Sequence, residues 1–163
     1  MTKSLKHTGR RTGAVLVSLL LLLTLAVSAS AAAVKMTVGV RFWRESGDKE
    51  SMADSAVDTT REATLTRQPN GTFTLELPVK QLSSMNMTGS LTGIAIGEVN
   101  YDGTLSGDLS DGTAVLTLKN LPASVLTGSD SSKALAVTCS IKMDTILLGD
   151  ITTSAKMSVW VER

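Results

Sequence analysis

The chain has 163 residues, 42% of them hydrophobic and only 3% aromatic, with sixteen Lys and Arg against fifteen Asp and Glu. Its single histidine, His7, and single cysteine, Cys139, leave little for zinc sites, Ser-His-Asp or Cys-His nucleophiles, or histidine-ligated haem. One cysteine also excludes an internal disulfide. The first segment carries Lys3, Lys6, Arg10 and Arg11, then an apolar run from Ala14 to Val27, then the small residues Ser28 to Ala33. Basic, apolar and small-residue parts in that order predict a secretory signal peptide over residues 1–33, cut after Ala33. The uncharged stretch from Thr12 to Val34 is long enough for an uncleaved anchor, but the short apolar run and its Ala/Ser tail favour removal. No cysteine follows the run to accept a lipid.

Residues 34–163 are enough for one domain and too few for two ordinary ones. The leader takes four of the sixteen basic residues and the only histidine, leaving a net charge of −3. A mildly acidic domain of this kind does not suit nucleic-acid binding, which rests on clustered Lys and Arg.

Met36, Val38, Val40 and Phe42 fall at every second position, the period of a half-buried strand. A polar stretch from Arg44 to Ala56 follows, in which Ser51 or Asp54 can cap a single helical turn, so a loop with a short helical lip is expected. Residues 60–67 and 72–79 read as two strands joined through Gln68-Pro-Asn-Gly71, a hairpin signal. Pro78 marks a strand end or edge. From Leu82 to Gly112 the chain is rich in Gly, Ser, Thr and Asn, with short strands expected only near Leu91–Val99. Three more strands are expected over 113–119, 134–143 and 154–162, the first stopped by Asn120-Leu-Pro122. Leu135, Val137, Cys139, Ile141 and Met143 share a face, which makes Cys139 a buried structural residue. Short strands about every ten residues, with no helical period of any length, predict an all-β sandwich.

The order of Ser51-Met-Ala-Asp-Ser-Ala56, a Thr-rich strand, Asn70-Gly-Thr-Phe-Thr-Leu-Glu-Leu77 and Met87-Thr-Gly-Ser-Leu91 resembles the NEAT (near-iron transporter) domain of Gram-positive surface and secreted proteins. The resemblance covers most of residues 36–162. It implies an immunoglobulin-like β-sandwich, with a helical lip after the first strand, that binds haem between the lip and the hairpin of the last two strands. It also implies passage of haem to or from a haem-carrying protein, outside the cell or at its surface. Ser51 then falls on the lip serine that hydrogen-bonds a propionate, and Met52 on the residue packed over the porphyrin. The family's Tyr-x-x-x-Tyr motif is absent. If Val159 and Val161 match its following aliphatics, the two tyrosine positions fall on Thr153 and Met157. Of these only Met157 has an atom suited to iron, a soft thioether that favours the reduced metal.

Each of these residues has a plainer role available. Met157 lies on the apolar face of a strand, where methionine fills gaps in a core. Ser51 to Asp54 can be a helix N-cap and no more. Met85, Met87 and Met143 invite a thioether metal site, but the first two sit where no regular pattern surrounds them. Tyr101, in Asn100-Tyr-Asp-Gly103, reads as a turn residue. The acids there and at Asp108–Asp111 lack the spacing of a calcium loop. Two tryptophans on separate strands make a poor stacking platform. Glu76 and Glu98 have no evident partner for glycosidase chemistry. The alternative to haem handling is a cofactor-free interaction or adhesion module that binds a protein or glycan through its loops.

Overall fold

Where apolar and polar residues alternate without interruption, the chain becomes strand. The structure, a computed structural model, describes residues 32–84, 87–144 and 149–162; the leader expected over residues 1–33 lies almost wholly outside them, as does Met85. The described residues form ten strands: β1 (Val34–Arg44), β2 (Ala63–Arg67), β3 (Phe73–Pro78), β4 (Leu82–Ser84), β5 (Met87–Ile96), β6 (Val99–Asp102), β7 (Thr104–Ser106), β8 (Val115–Leu121), β9 (Leu135–Met143) and β10 (Asp150–Val161). A 3-10 turn over Met52–Ala56 is the lip, and two shorter ones cover Ala123–Val125 and Ser131–Lys133. Among the described residues no helix is long and apolar enough to cross a membrane.

All pairings are antiparallel and follow one path, β4-β5-β9-β10-β1-β2-β3-β8-β7, with β6 beside β5. The chain passes between the layers at two points. In β1, residues Val34 to Val38 pair with β2, whereas Val38 to Arg44 pair with β10. At Gly103 the chain leaves β6, paired with β5, and enters β7, paired with β8. A Cβ at Gly103 would stand 2.3 Å from Leu116 Cδ1 and 2.8 Å from the Thr92 carbonyl oxygen, so the crossing needs a residue without a side chain. The strands that change layers let two sheets enclose one core.

That core is aliphatic, as the scarcity of aromatic residues predicts. Leu65, Leu75 and Leu77 meet Leu91, Ile94, Leu116, Leu118 and Ile141, all fully or almost fully buried, and Phe42 and Phe73 are the buried rings among them. Cys139 is buried, and desolvation pushes its thiol up to about 12, so it is inert packing rather than a nucleophile. The all-β sandwich with a lip after the first strand is as expected.

Two local expectations change. Tyr101 is not a turn residue: it lies in β6 opposite Ile94, half-buried against the core. The segment from Leu82 to Gly112 holds four strands, because Gly, Ser and Thr pair through their backbones while showing little apolar alternation. Its acidic turn satisfies itself. Asp108 accepts from the Ser110 N–H at 2.8 Å and hydroxyl at 2.7 Å, and Asp111 from the Thr113 N–H at 2.8 Å and hydroxyl at 2.6 Å. Pro78 ends β3 as expected, leaving its carbonyl to accept from Asp58 N–H at 3.0 Å.

Candidate functional site

The lip exists because β1 outruns β2. Beyond Val38 the β1 edge has no strand partner on that side among the described residues, and the polar segment after Arg44 folds back to cover it. Ser51 N–H donates to Phe42 C=O at 2.8 Å, and Phe42 N–H donates to Asp54 Oδ1 at 2.7 Å. Asp54 thus supplies from a side chain what a neighbouring strand would supply from a carbonyl. Its Oδ2 accepts from Arg41 Nη1 at 3.0 Å, and the same guanidinium reaches Glu50 at 2.6 Å. Further on, Lys80 N–H donates to Ala56 C=O at 2.9 Å and Asp58 N–H to Pro78 C=O. The lip therefore strings from the edge of one layer to the end of β3 in the other, with Ala53 and Ala56 fully buried beneath it.

Ser51 is the N-cap of the lip: its Oγ accepts from Ala53 N–H at 3.2 Å, and the residue is 6% exposed. The hydroxyl is turned into its own turn. Met52 is the large apolar side chain that the lip leaves exposed, at 40%. Asp54 is the contributor that sequence reasoning saw only as a second capping choice. Its partner lies twelve residues away across a change of chain direction, and no local pattern announces that.

Thr153 and Met157 stand four residues apart on β10, opposite Cys139 and opposite both Phe42 and Leu135 respectively. Met157 is thus one strand away from the lip, with Phe42 between them. The Met157 side chain has no exposure, whereas Thr153 is partly exposed and offers a hydroxyl alone. A haem iron needs a donor it can reach. The Met157 thioether is closed off by the core it fills, and these two positions as they stand do not fit an axial ligand. Of the cavities in the structure, the three with volumes of about 240, 320 and 500 Å³ are lined by none of Ser51, Met52, Thr153 and Met157.

On the outer face of the same layer, the structure brings together what the sequence set apart. Trp43 and Trp160 project from the neighbouring strands β1 and β10. Trp43 Nε1 donates to Ser158 Oγ at 2.9 Å, and Ser158 is fully buried. Trp160 lies over its register partner Gly39, where a Cβ would come within 2.2 Å of its Cζ2. Elsewhere in the fold two carboxylates are held in the charged form. The Thr60 hydroxyl at 2.7 Å is the main cause for Asp58, joined by the Thr60 N–H and by Arg61 and Lys80, so its carboxyl sits below its ordinary value. For Glu76, Thr64 at 2.6 Å acts first and Lys35 at 3.0 Å second, in the same direction.

No family model and no curated protein matches the sequence. Solved structures do match in shape. A mutant of the IsdX2 NEAT5 domain in complex with haem superposes with a TM-score of 0.52 at 9% identity, covering 81% of this chain and 98% of that one. The NEAT5 domain of IsdX2, a hemophore of B. anthracis, also in complex with haem, gives 0.50 at 10% identity, covering 81% and 99%. At such identities the likeness is one of fold, and the chain has a NEAT-like, immunoglobulin-type β-sandwich.

Proposed function

We propose that the chain is an exported or cell-surface NEAT-like binding module, not an enzyme, and that haem or a haem-carrying protein is what it meets. The observation that carries this reading is the match of nearly a whole haem-bound domain to 81% of the chain, with an exposed Met52 on the lip that follows its first strand. Lip contact through the exposed Met52 suits an apolar ring, whereas the Ser51 hydroxyl is taken up in capping its own turn. Iron ligation by Met157 is outside this reading, because its sulfur is closed off in the core.

Titration of the purified protein with hemin is expected to sharpen and shift the Soret band, with Met52→Ala weakening the change. Met157→Ala should leave the band position unaltered, since no ligand is lost. Absence of any spectral change at micromolar hemin would sink the haem reading.

The burial of Met157 favours one other function, a cofactor-free interaction module acting on a protein or glycan through its surface. In that case the protein stays colourless with hemin.

A further inference from the structure

The lip follows the last residue of β1; a different feature lies at its first. The inward face of β2 reads Ala63, Leu65, Arg67. The first two are buried in the core, and alternation puts the third on the same face. Its register partners, Val34 in β1 and Phe73 in β3, stand directly opposite it on either side and so share that face. One row of the core therefore ends in a cation.

Where that row ends, the cavity of about 320 Å³ opens. Val34, Met36 and Phe73 line it from the strands, and Ala123 and Leu126 from the 3-10 turn after β8. Val34 and Leu126 are 53% and 36% exposed, two large apolar side chains left in solvent that meet at one cavity although they lie far apart in sequence. Apolar surface gathered in this way marks a binding site where single exposed residues do not. Arg67 also lines the cavity, no carboxylate does, and Arg67 forms no ion pair among the described residues. An exposed arginine alone says little. Beside an apolar wall, it selects among apolar ligands the one that ends in an anion.

We propose that this cavity binds a free medium-chain fatty acid. The acyl chain lies against Val34, Met36 and Leu126, and the carboxylate accepts from the Arg67 guanidinium, whose paired N–H donors match its two oxygens. A peptide suits the walls less well, because its amides would rest against side chains that offer them no partner. The volume is at the low end of the about 300–1,000 Å³ usual for small-molecule sites, which suits one chain rather than a two-chain lipid. The site is independent of the haem reading, since neither Met52 nor Met157 lines it.

The test is an amide-resolved NMR titration of the protein with butanoate, hexanoate and octanoate, and with octanol and octylammonium as controls of equal length. Octanoate is expected to move the Gly71, Ala123 and Leu126 amide signals together and to saturation. Affinity should climb along the acid series by up to about fourfold per methylene, the scale of one buried CH₂, with octanol weaker than octanoate and octylammonium weakest. Arg67→Gln should erase the preference for octanoate over octanol, a loss of up to about fivefold as befits an exposed ion pair, and raised salt should act in the same direction. Leu126→Ser, a change on an exposed turn, should keep the fold and weaken octanoate and octanol alike. Stationary signals at the cavity, an affinity that does not change with chain length, or octylammonium binding as well as octanoate each overturns the proposal. A negative hemin titration leaves it standing.

Discussion

Asp54 shows how one side chain can replace a strand. It is 6% exposed, and its two oxygens hold the Phe42 N–H and the Arg41 guanidinium. Asp54→Ala leaves that buried N–H without an acceptor, a loss of about 1–3 kcal/mol, and should lower the thermal midpoint and speed amide exchange at Phe42. Asp54→Asn keeps an acceptor for Phe42 and gives up only the charge on Arg41, itself about one-third exposed, so its cost should be clearly smaller. Equal losses in the two variants would show that the ion pair, not the backbone bond, matters. Asp58 supports a second expectation, in pH. Its carboxyl is depressed from 3.8, first by the Thr60 hydroxyl. The unfolded chain then takes up a proton before the folded one does as pH falls. The stabilisation is complete above the ordinary carboxylate value and is lost as pH drops through the lower folded value. Thr60→Val removes the main cause and should move acid unfolding to higher pH, read by circular dichroism across an acid titration. An unchanged midpoint would mean that Arg61 and Lys80 suffice.

At the scale of the element, β1 is where sequence and structure agree most and where the unforeseen feature sits. Its alternation from Met36 to Phe42 was plain, and so were β3, β8, β9 and β10, since in each the apolar residues recur at every second position and are buried there. The same pattern says nothing about which neighbour lies on each edge, so the change of partner at Val38 was not legible. Nor was the reason for Gly39, which a strand interior normally disfavours. Its place under Trp160 supplies that reason: the indole fills the space a side chain would take. Gly39→Ala should therefore displace the ring, with a lowered midpoint and a shifted tryptophan emission that Trp160→Phe reproduces in part. If emission stays as it was, the ring is not held there. The lip was half legible. Ser51 followed by a short turn reads as a cap from sequence alone, whereas the work of Asp54 depends on a strand twelve residues back. The β4 to β7 stretch was illegible for the opposite reason: short strands of Gly, Ser and Thr pair well but carry almost no burial pattern.

For the whole molecule, the decisive contact joins the two ends of the domain. β10 lies between β9 and β1, and β1 alone links the two layers along the paired path. No disulfide backs this closure, so the pairing and the core beneath it must hold the fold. Removing residues 150–163 would strip Ala155, Met157 and Val159 from the core and leave two long unpaired edges, on β9 and on β1. Burial of a Met or Val side chain stabilises by roughly 1.5–3 kcal/mol each, and a domain of this size has about 5–15 kcal/mol in all. The two large side chains alone consume much of that margin before the lost ladder is counted. The shortened chain should show no cooperative thermal transition and should expose Cys139, beside which β10 places its register partner Thr153, to a thiol reagent that leaves the intact protein unlabelled. A shortened chain that still unfolds cooperatively with Cys139 protected would mean that the layers close without their shared strand. Because the first and last strands must find each other before the layers can close, folding depends on contacts of long sequence separation, and refolding in the millisecond-to-second range of β-sandwiches is the matching kinetic expectation.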